Sequence, residues 1–322
     1  MHNEVVIRLT AMGDVILAIP TVRALAGNGS RIHWILSGKW RHLATFLPAI
    51  VHTVDTFADF LRLARRLRAL KPIRTHDLQG KFSSIFFSFL LGGRISRYRK
   101  RDLWENLKAA GGAFPLSNAD TRPVWKRYMD TAEVGHFDPN PGLFLSEHYL
   151  HEVQMKILEN LGLKPYSYTL CHPGASKPGK IFPLSGFKSI ISQMKPPVFI
   201  IGNANEGHGK NLYNDLRGKL DLYYLPGFIA LSKGLVTTDS GPMHLARAVD
   251  VPVAAFFFQT DPSLGFSPIP GNKVKIFSIP LPCKPCSLHG QRDTCPLKTW
   301  ECRRYHWPSV SSELNDFLEK AA

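Results

Sequence analysis

The sequence lacks any apolar run that is long enough to cross a membrane. Its longest apolar stretch, residues 82–92 (FSSIFFSFLLG), has about half of the roughly 20 apolar residues that a membrane-spanning helix needs. We expect a buried helix there. The first residues, MHNEVVIRL, do not show the basic and apolar regions of a signal peptide. These absences predict a cytoplasmic protein.

Acidic residues are scarce relative to basic ones. The chain has 25 Asp and Glu against 40 Lys and Arg, for a net charge of +15. Residues 1–130 hold 21 basic and 9 acidic side chains (+12), whereas residues 131–322 hold 19 and 16 (+3). This charge predicts an anionic partner for the N-terminal half: a nucleic acid, a phosphorylated glycolipid or an acidic membrane surface. Nucleic acid fits least, because stacking aromatics are not interleaved with the basic residues in a recognisable module.

Apolar runs and polar loops alternate along the chain, as in α/β proteins. Residues 5–9 (VVIRL) predict a first strand, and the pattern restarts at a strand over residues 167–171. Pro and Gly cluster between them at residues 137–143. We therefore predict two Rossmann-like domains, 1–145 and 146–322, that bind ligands at the carboxyl ends of their strands. Further strands are predicted over residues 31–36, 73–78, 197–201, 234–238 and 251–258. Helices are predicted over residues 15–25, 57–70, 81–91 and 147–161. One more helix is predicted to begin near residue 185, and another to follow the strand 234–238 and end at residue 249.

Two loops that follow predicted strands carry candidate functional residues. In the loop TAMGD, Gly13 permits a tight turn, and Asp14 either caps the next helix or takes a proton from an attacking hydroxyl. The spacing alone favours the cap. In the loop HPGASKPGK, Ser176 and Lys180 could give a hydroxyl and an ammonium to a phosphate. An ordinary exposed lysine explains that pattern as well.

A third loop, in the segment TTDSGPMHLARA, has the strongest pattern. A strand ends in Thr238 and Asp239, a Gly-Pro turn follows, and a helix opens with Met243 and His244. This order directs backbone N–H groups and the positive end of a helix dipole at one place, which favours an anion. Asp239 could accept hydrogen bonds from sugar hydroxyls. His244 is equally compatible with a functional role and with a buried structural one.

Four segments together resemble the heptosyltransferases, family 9 of the glycosyltransferases. RLTAMGDVILAIPTVRAL is similar to the N-terminal signature of that family, and THDLQGKFSS to its D-x-Q-G-x-x-K-S segment, with Ser83 where lysine is common. HPGASKPGKIFPLSGF is similar to its HPGA segment, and LVTTDSGPMHLARAVDVPVAAFF to its DSGPMHLA motif. The segments follow the order of the family. The resemblance implies a GT-B fold, with two Rossmann-like domains that face a central cleft.

The resemblance also implies an activity, which is the inverting, metal-independent transfer of heptose from ADP-heptose to the lipopolysaccharide inner core. The acceptor would be Kdo–lipid A or a heptosyl group, and Asp14 the base that deprotonates its hydroxyl. The residues implied in donor binding are Ser176, Lys180, Asp239, Ser240, Gly241, Met243 and His244. Those implied in acceptor binding are Gly13, Lys81, Arg94 and Arg97, with Arg99, Lys100 and Arg101 as further candidates. A lipid-linked acceptor further implies peripheral contact with the inner face of the inner membrane.

The sequence departs from the family pattern at two places. Ile181 and Phe182 replace a common aromatic-bearing pair before proline. The chain between Gly202 and Gly234 is shorter than the region that helps to hold the nucleotide in relatives. A non-catalytic family member that binds a glycolipid or a protein is therefore an alternative.

Four of the five cysteines crowd into one segment of 20 residues. They are Cys283, Cys286, Cys295 and Cys302. In a cytoplasmic protein this spacing favours a structural metal over disulfides, and four sulfurs suit Zn²⁺ or a single iron. His289 and His306 are alternative ligands, and four reduced thiols in a basic loop are the other interpretation. Part of the family has a similar segment, and the branch that acts on proteins is associated with iron, so a protein heptosyltransferase is a further alternative. No cofactor is expected for the transfer itself.

Overall fold

The computed structural model divides the chain into two compact units. The residues that it describes are 2–99, 122–135, 138–207 and 214–321. The first unit comprises Met1–Lys100 and Arg122–Phe144, and the second contains residues 145–322. Lys100 and Arg101, two of the further acceptor-binding candidates, lie outside the described residues.

The first unit is built on a sheet of five parallel strands. They are β1 (His2–Ile7), β2 (Ser30–Ser37), β3 (Ile50–Val54), β4 (Arg74–Asp77) and β5 (Arg94–Arg97). Their order in the sheet is β3-β2-β1-β4-β5. The central strand β1 pairs with β2 on one side and β4 on the other, so Val5, Val6 and Ile7 are almost fully buried. A parallel sheet that is covered on both faces requires such a continuous apolar run.

Helices connect these strands. They are α1 (Met12–Leu17), α2 (Ile19–Gly27), α3 (Phe57–Ala69), α4 (Phe82–Leu91) and α5 (Val124–Thr131), with a 3₁₀ segment over Gly38–Phe46. The single helix predicted over residues 15–25 is two helices, since Ala18 ends α1 and Pro20 lies in the first turn of α2. Helix α3 begins with a capping box in which Thr56 and Asp59 exchange hydrogen bonds.

The prediction of a buried helix at residues 82–92 is wrong in one respect. A helix forms there, but Phe82, Phe86 and Phe89 are 94%, 48% and 63% exposed. The helix buries the opposite side, which carries Ser84, Phe87, Ser88 and Leu91. A helix that packs on one side of a sheet buries only one of its faces, so a helix with apolar side chains on every face exposes some of them.

The second unit repeats the architecture with a second parallel sheet. Its strands are β6 (Thr169–His172), β7 (Val198–Ile200), β8 (Gly234–Thr238), β9 (Val253–Phe257) and β10 (Val274–Ser278). Their order is β10-β9-β8-β6-β7. The helices are α6 (Glu147–Val153), which continues as π and 3₁₀ turns to Leu161, α7 (Leu184–Gln193), α8 (Leu225–Ala230), α9 (Gly241–Ala248) and α10 (Trp307–Ala321). Stacked and tilted rings of Phe182, Phe256 and Phe277 lie in its core.

Both units are Rossmann-like, as predicted. The order of the strands reverses between β1 and β4 in the first sheet and between β6 and β8 in the second. In such sheets, ligands bind outside the carboxyl ends of the strands at the point of reversal. The loops after β1 and β4 are therefore the candidate functional region of the first unit, and those after β6 and β8 that of the second. Among the described helices, none combines the length and the apolar content that a bilayer crossing needs.

Candidate active site

In the first unit, Asp14 lies in the first turn of α1, directly after the loop that follows β1. Its carboxylate forms an ion pair with Arg8, and the hydroxyl of Tyr128 on α5 donates to its Oδ1 at 3.2 Å. The backbone N–H of Ala11 donates to Oδ2 at 3.4 Å, which is a helix-capping contact. The side chain of Asp14 remains 21% exposed. Capping and proton transfer are thus compatible, because the cap occupies one oxygen and leaves the carboxylate accessible.

The two side chains that hold Asp14 are themselves buried. Burial disfavours the charge of Arg8, but the adjacent Asp14 carboxylate raises the pKa of this guanidinium. The guanidinium also donates to the carbonyl of Leu78 at 2.8 Å and lies 5.4 Å from the ring centre of Tyr128. Burial raises the pKa of the Tyr128 hydroxyl well above its usual value, so this group is a neutral donor. A cation and a neutral donor therefore fix the Asp14 carboxylate in position.

The loop after β4 holds the loop that carries Asp14. The side-chain oxygen of Gln79 accepts from the backbone N–H groups of Leu9 and Thr10 at 3.1 and 3.2 Å. Asp77, which is fully buried at the end of β4, accepts from the N–H of Gln79 at 3.1 Å and from Arg97 Nε at 3.3 Å. The D-x-Q-G segment thus has a structural role, which the sequence did not reveal.

The predicted acceptor-binding residues do not all lie at this edge of the sheet. Gly13 is in the first turn of α1, and Lys81 is exposed at the start of α4. Arg97 lies at the carboxyl end of β5 beside Asp77, but Arg94 lies at the opposite end of that strand. Arg94 there forms an ion pair with Glu133 at 2.8 Å. The structure therefore brings Gly13, Lys81 and Arg97 to the strand ends and separates Arg94 from them. Arg99 is exposed, two residues beyond the end of β5.

In the second unit, the loops after β6 and β8 are in direct contact. Lys180 Nζ lies 2.7 Å from Asp239 Oδ2, and both side chains are largely buried. The hydroxyl of Thr238 donates to the carbonyl of Gly174 at 2.8 Å. Two of the predicted donor-binding residues, Lys180 and Asp239, thus come together at the reversal point of the second sheet.

The other predicted donor-binding residues surround the start of α9. Ser240 precedes this helix, and its side chain lies 3.1 Å from the Thr237 hydroxyl rather than capping the helix. The side chain of Met243 is fully buried, so only its backbone N–H can serve a ligand. His244 is buried within the helix, and Ser176 is exposed in the loop after β6. The first turn of α9, with Gly241, therefore offers the backbone N–H groups and the dipole that favour an anion.

A polar cluster around His172 joins these loops and was missed by the sequence analysis. His172 Nδ1 lies 3.2 Å from the hydroxyls of both Thr237 and Ser240, and its Nε2 lies 3.4 Å from Glu206 Oε2. The hydrogen bond with His172 outweighs burial and, with bonds from Asn203, lowers the pKa of Glu206 to about 2. No spacing rule connects residues 172 and 206, so the sequence carried no signal for this contact.

The four clustered cysteines line a single pocket near the C-terminus, together with Gln259, Lys284 and Trp300. All of them are free thiols. Burial raises the pKa of Cys286 to about 11, with the other thiols contributing. The side chain of Lys284 is 2% exposed and donates to Ser278 at 2.6 Å.

Four cysteine thiols are a suitable set of ligands for a thiolate-bound metal. The buried ammonium of Lys284 would offset the negative charge of the thiolates. Within the described part of the chain, however, no three His, Cys, Asp or Glu side chains are placed as ligands of one ion. His306, an alternative ligand, lies 2.8 Å from the Ser309 hydroxyl instead. The metal site therefore stays a prediction.

Comparison with known proteins tests the family and the fold. The family model described as Glycosyltransferase family 9 (heptosyltransferase) matches residues 60–300. Lipopolysaccharide heptosyltransferase 1 of Campylobacter coli is 25% identical over 285 residues, which cover 79% of this chain and 83% of the relative. Among solved structures, ADP-heptose lps heptosyltransferase II of E. coli aligns over 99% of both chains, with a TM-score of 0.71 and 19% identity.

A second similar structure is the iron-containing dodecameric glycosyltransferase TibC from enterotoxigenic E. coli H10407. It is 15% identical, with a TM-score of 0.63, and the alignment covers 99% of this chain and 78% of TibC. These matches confirm the GT-B fold and the family that the four sequence segments predicted. The chain belongs to glycosyltransferase family 9, the heptosyltransferase family of lipopolysaccharide biosynthesis, and is a glycosyltransferase.

Proposed function

We propose that this enzyme transfers heptose from ADP-heptose to the inner core of lipopolysaccharide, with inversion at the anomeric carbon. The observation that carries the proposal is the Asp14 carboxylate, which Arg8 and Tyr128 fix at the reversal point of the first sheet while it stays accessible. A base in inverting transfer needs this combination, because the proton that it takes belongs to a hydroxyl of a bound ligand.

The chemistry is a single displacement. Asp14 takes the proton of the acceptor hydroxyl as its oxygen forms a bond to the anomeric carbon of heptose. The bond from that carbon to the diphosphate breaks, and ADP leaves with the electron pair. Lys180 and the N–H groups at the start of α9 stabilise the charge on the departing diphosphate. In the absence of donor, Asp239 holds Lys180 in place.

Three observations support the donor assignment. Lys180 and Asp239 form a pair that can serve a phosphate and a sugar, respectively. The start of α9 favours an anion. The similar E. coli enzyme is named for ADP-heptose.

Calorimetric titration of the purified protein with ADP-heptose tests the proposal, with UDP- and GDP-sugars as controls. We expect selective binding in the micromolar range, which corresponds to about −8 kcal/mol. If no nucleotide sugar binds, the proposal fails and the chain is a family member that has lost its donor site. Binding of ADP-heptose with transfer to a protein rather than to a core oligosaccharide would favour the protein heptosyltransferase alternative.

The four cysteines support a second proposal, namely a structural Zn²⁺ or iron in the pocket that they line. The observation that favours it is the convergence of all four thiols on one pocket beside the buried Lys284. A bound metal would cross-link the segment from residue 283 to residue 302 and contribute to folding. It would take no part in sugar transfer.

Elemental analysis of protein purified without added metal tests this second proposal. We expect close to one equivalent of zinc or iron, and its loss in the Cys295→Ser variant. A metal content near zero in the wild-type protein, with an unchanged melting temperature after chelation, would contradict it.

A further inference from the structure

The first unit exposes a group of phenylalanines that the proposed transfer does not use. Phe82, Phe86 and Phe89 occupy one side of α4, at positions one and two turns apart, and are 94%, 48% and 63% exposed. Phe57, at the start of α3, is 58% exposed, and its ring stacks on that of Phe86 with 6.0 Å between centroids. We call these four residues the aromatic stripe. An exposed apolar surface of this kind marks a site that contacts a protein or a membrane.

The polarity of α4 is the reverse of what water would favour. Ser84 and Ser88 are fully buried, and their hydroxyls donate to the backbone carbonyls of Lys81 and Ile85 at 2.9 and 2.7 Å. A helix that faces water normally places serine outside and phenylalanine inside. The helix thus satisfies its serines internally and presents Phe82, Phe86 and Phe89 outward, which indicates an apolar surrounding for that side.

Basic side chains border the aromatic stripe. Arg97 places its guanidinium 5.5 Å from the ring centre of Phe89. Lys81 is exposed immediately before Phe82, and Arg68 of α3 donates to the backbone at Leu90, at the other end of α4. We call Lys81, Arg68 and Arg97 the basic rim. Arg65 and Arg66 add further positive charge along α3, whereas Arg62 is paired with Asp59 at 3.0 Å.

We propose that the aromatic stripe docks the first unit on an anionic phospholipid bilayer. The phenylalanine rings would enter the boundary between headgroups and acyl chains, and the basic rim would contact the lipid phosphates. The inference rests on the proposed function only in that a lipid-linked acceptor lies in a bilayer. The net charge of +12 on residues 1–130 gives the same sign of attraction.

The basic rim favours a bilayer over a second copy of the chain as the partner of the aromatic stripe. A two-fold contact through the aromatic stripe would bring two basic rims together, and their like charges would repel each other. A bilayer rich in phosphatidylglycerol has the complementary sign. Charge complementarity therefore selects the lipid surface as the occupant.

Vesicle flotation of the full chain tests this inference without donor or acceptor. The probes are vesicles of phosphatidylglycerol and phosphatidylethanolamine, with phosphatidylcholine vesicles for comparison, at about 0.1 M salt, where the screening length is roughly 10 Å. The test variant is Phe82→Ser/Phe89→Ser. The matched control is Phe144→Ser/Tyr166→Ser, which removes rings that are 73% and 63% exposed elsewhere on the chain.

The wild-type protein and the control variant should float with anionic vesicles and much less with phosphatidylcholine. The vesicle partition coefficient of the test variant should be at least about tenfold lower than that of the wild-type protein, because two rings that would enter the bilayer are removed. Absence of flotation of the wild-type protein, or equal partition of the test and control variants, would overturn the inference. So would a wild-type dimer in light scattering that only the test variant loses, since the occupant would then be a second copy.

Transfer to a delipidated, water-soluble acceptor separates this inference from the proposed function. The test variant should keep wild-type turnover on that acceptor, since neither phenylalanine belongs to the candidate site. If the wild-type protein floats with vesicles but neither it nor any variant transfers heptose, the docking inference stands and the proposed function fails. If transfer is normal but no form floats, only the docking fails.

Discussion

At the scale of single residues, one of the two side chains that hold Asp14 comes from a distant part of the sequence. Arg8 directly follows β1 and is local to Asp14, whereas Tyr128 lies on α5, 114 residues after it. The TAMGD loop was recognisable because it is short and local. The contact with Tyr128 was not, because it depends on how α5 packs in the folded unit. The same holds for the contact of His172 with Glu206.

Removal of the buried cation should destabilise the first unit. We expect Arg8→Met to lower the free energy of unfolding by up to about 3 kcal/mol, the lower end for a broken buried pair, because Asp14 is partly accessible to water. Chemical denaturation measures this change. Arg8→Lys keeps the positive charge and should lower the free energy of unfolding by less. Equal losses of stability in the two variants would show that the charge at this position does not stabilise the fold.

The ammonium of Lys180 should contribute to binding of the donor. We expect Lys180→Ala to weaken binding of ADP-heptose by about 1.5–3 kcal/mol, since a charged hydrogen bond to the diphosphate is lost. Isothermal titration measures the affinity. Lys188→Ala, an exposed lysine on α7, serves as the control. An affinity that is the same in both variants and in the wild-type protein would remove Lys180 from the donor site.

At the scale of secondary-structure elements, the central strands were predicted and several edge strands were not. The strands β1, β2 and β8 are largely buried on both faces and are rich in apolar and β-branched residues. The three strands absent from the prediction are β3, β5 and β10, and each lies at an edge of its sheet. Edge strands are partly solvated and carry mixed sequences, such as RISR in β5. A hydrophobic pattern therefore does not distinguish them from loops.

The contact between Glu206, in the loop after β7, and His172, at the end of β6, should respond to pH. Its pKa falls from 4.5 to about 2 in the folded protein, so its charge stabilises the fold above pH 4.5. That contribution is at most about 3 kcal/mol, because water screens the partly exposed carboxylate, and it is lost as the pH falls from about 4.5 to about 2. Unfolding of the wild-type protein and of Glu206→Gln, compared from pH 7 downwards, measures it. A stability difference that does not shrink over this range would contradict the assignment.

At the scale of the whole molecule, the two sheets explain why the sequence motifs fall where they do. Each of the four family segments includes or follows a strand beside a reversal point of its sheet, namely β1, β4, β6 or β8. Parallel strands bring their carboxyl ends to one edge, so motifs that are far apart in sequence become neighbours within a unit. The fold and the loops of the site were predictable for this reason. The outward aromatic rings of α4 were not, because composition alone does not tell which face a helix buries.

The central claim is that Asp14 is the base of an inverting heptosyl transfer. The most direct test is turnover of ADP-heptose on a heptose-free core acceptor by Asp14→Asn, which keeps the size of the side chain. Asp316→Asn, an exposed change on α10, is the control. We predict that Asp14→Asn lowers kcat by about 10²–10⁴-fold, the usual contribution of a general base, while the affinity for ADP-heptose stays within about twofold. A kcat equal to that of the control variant would contradict the account.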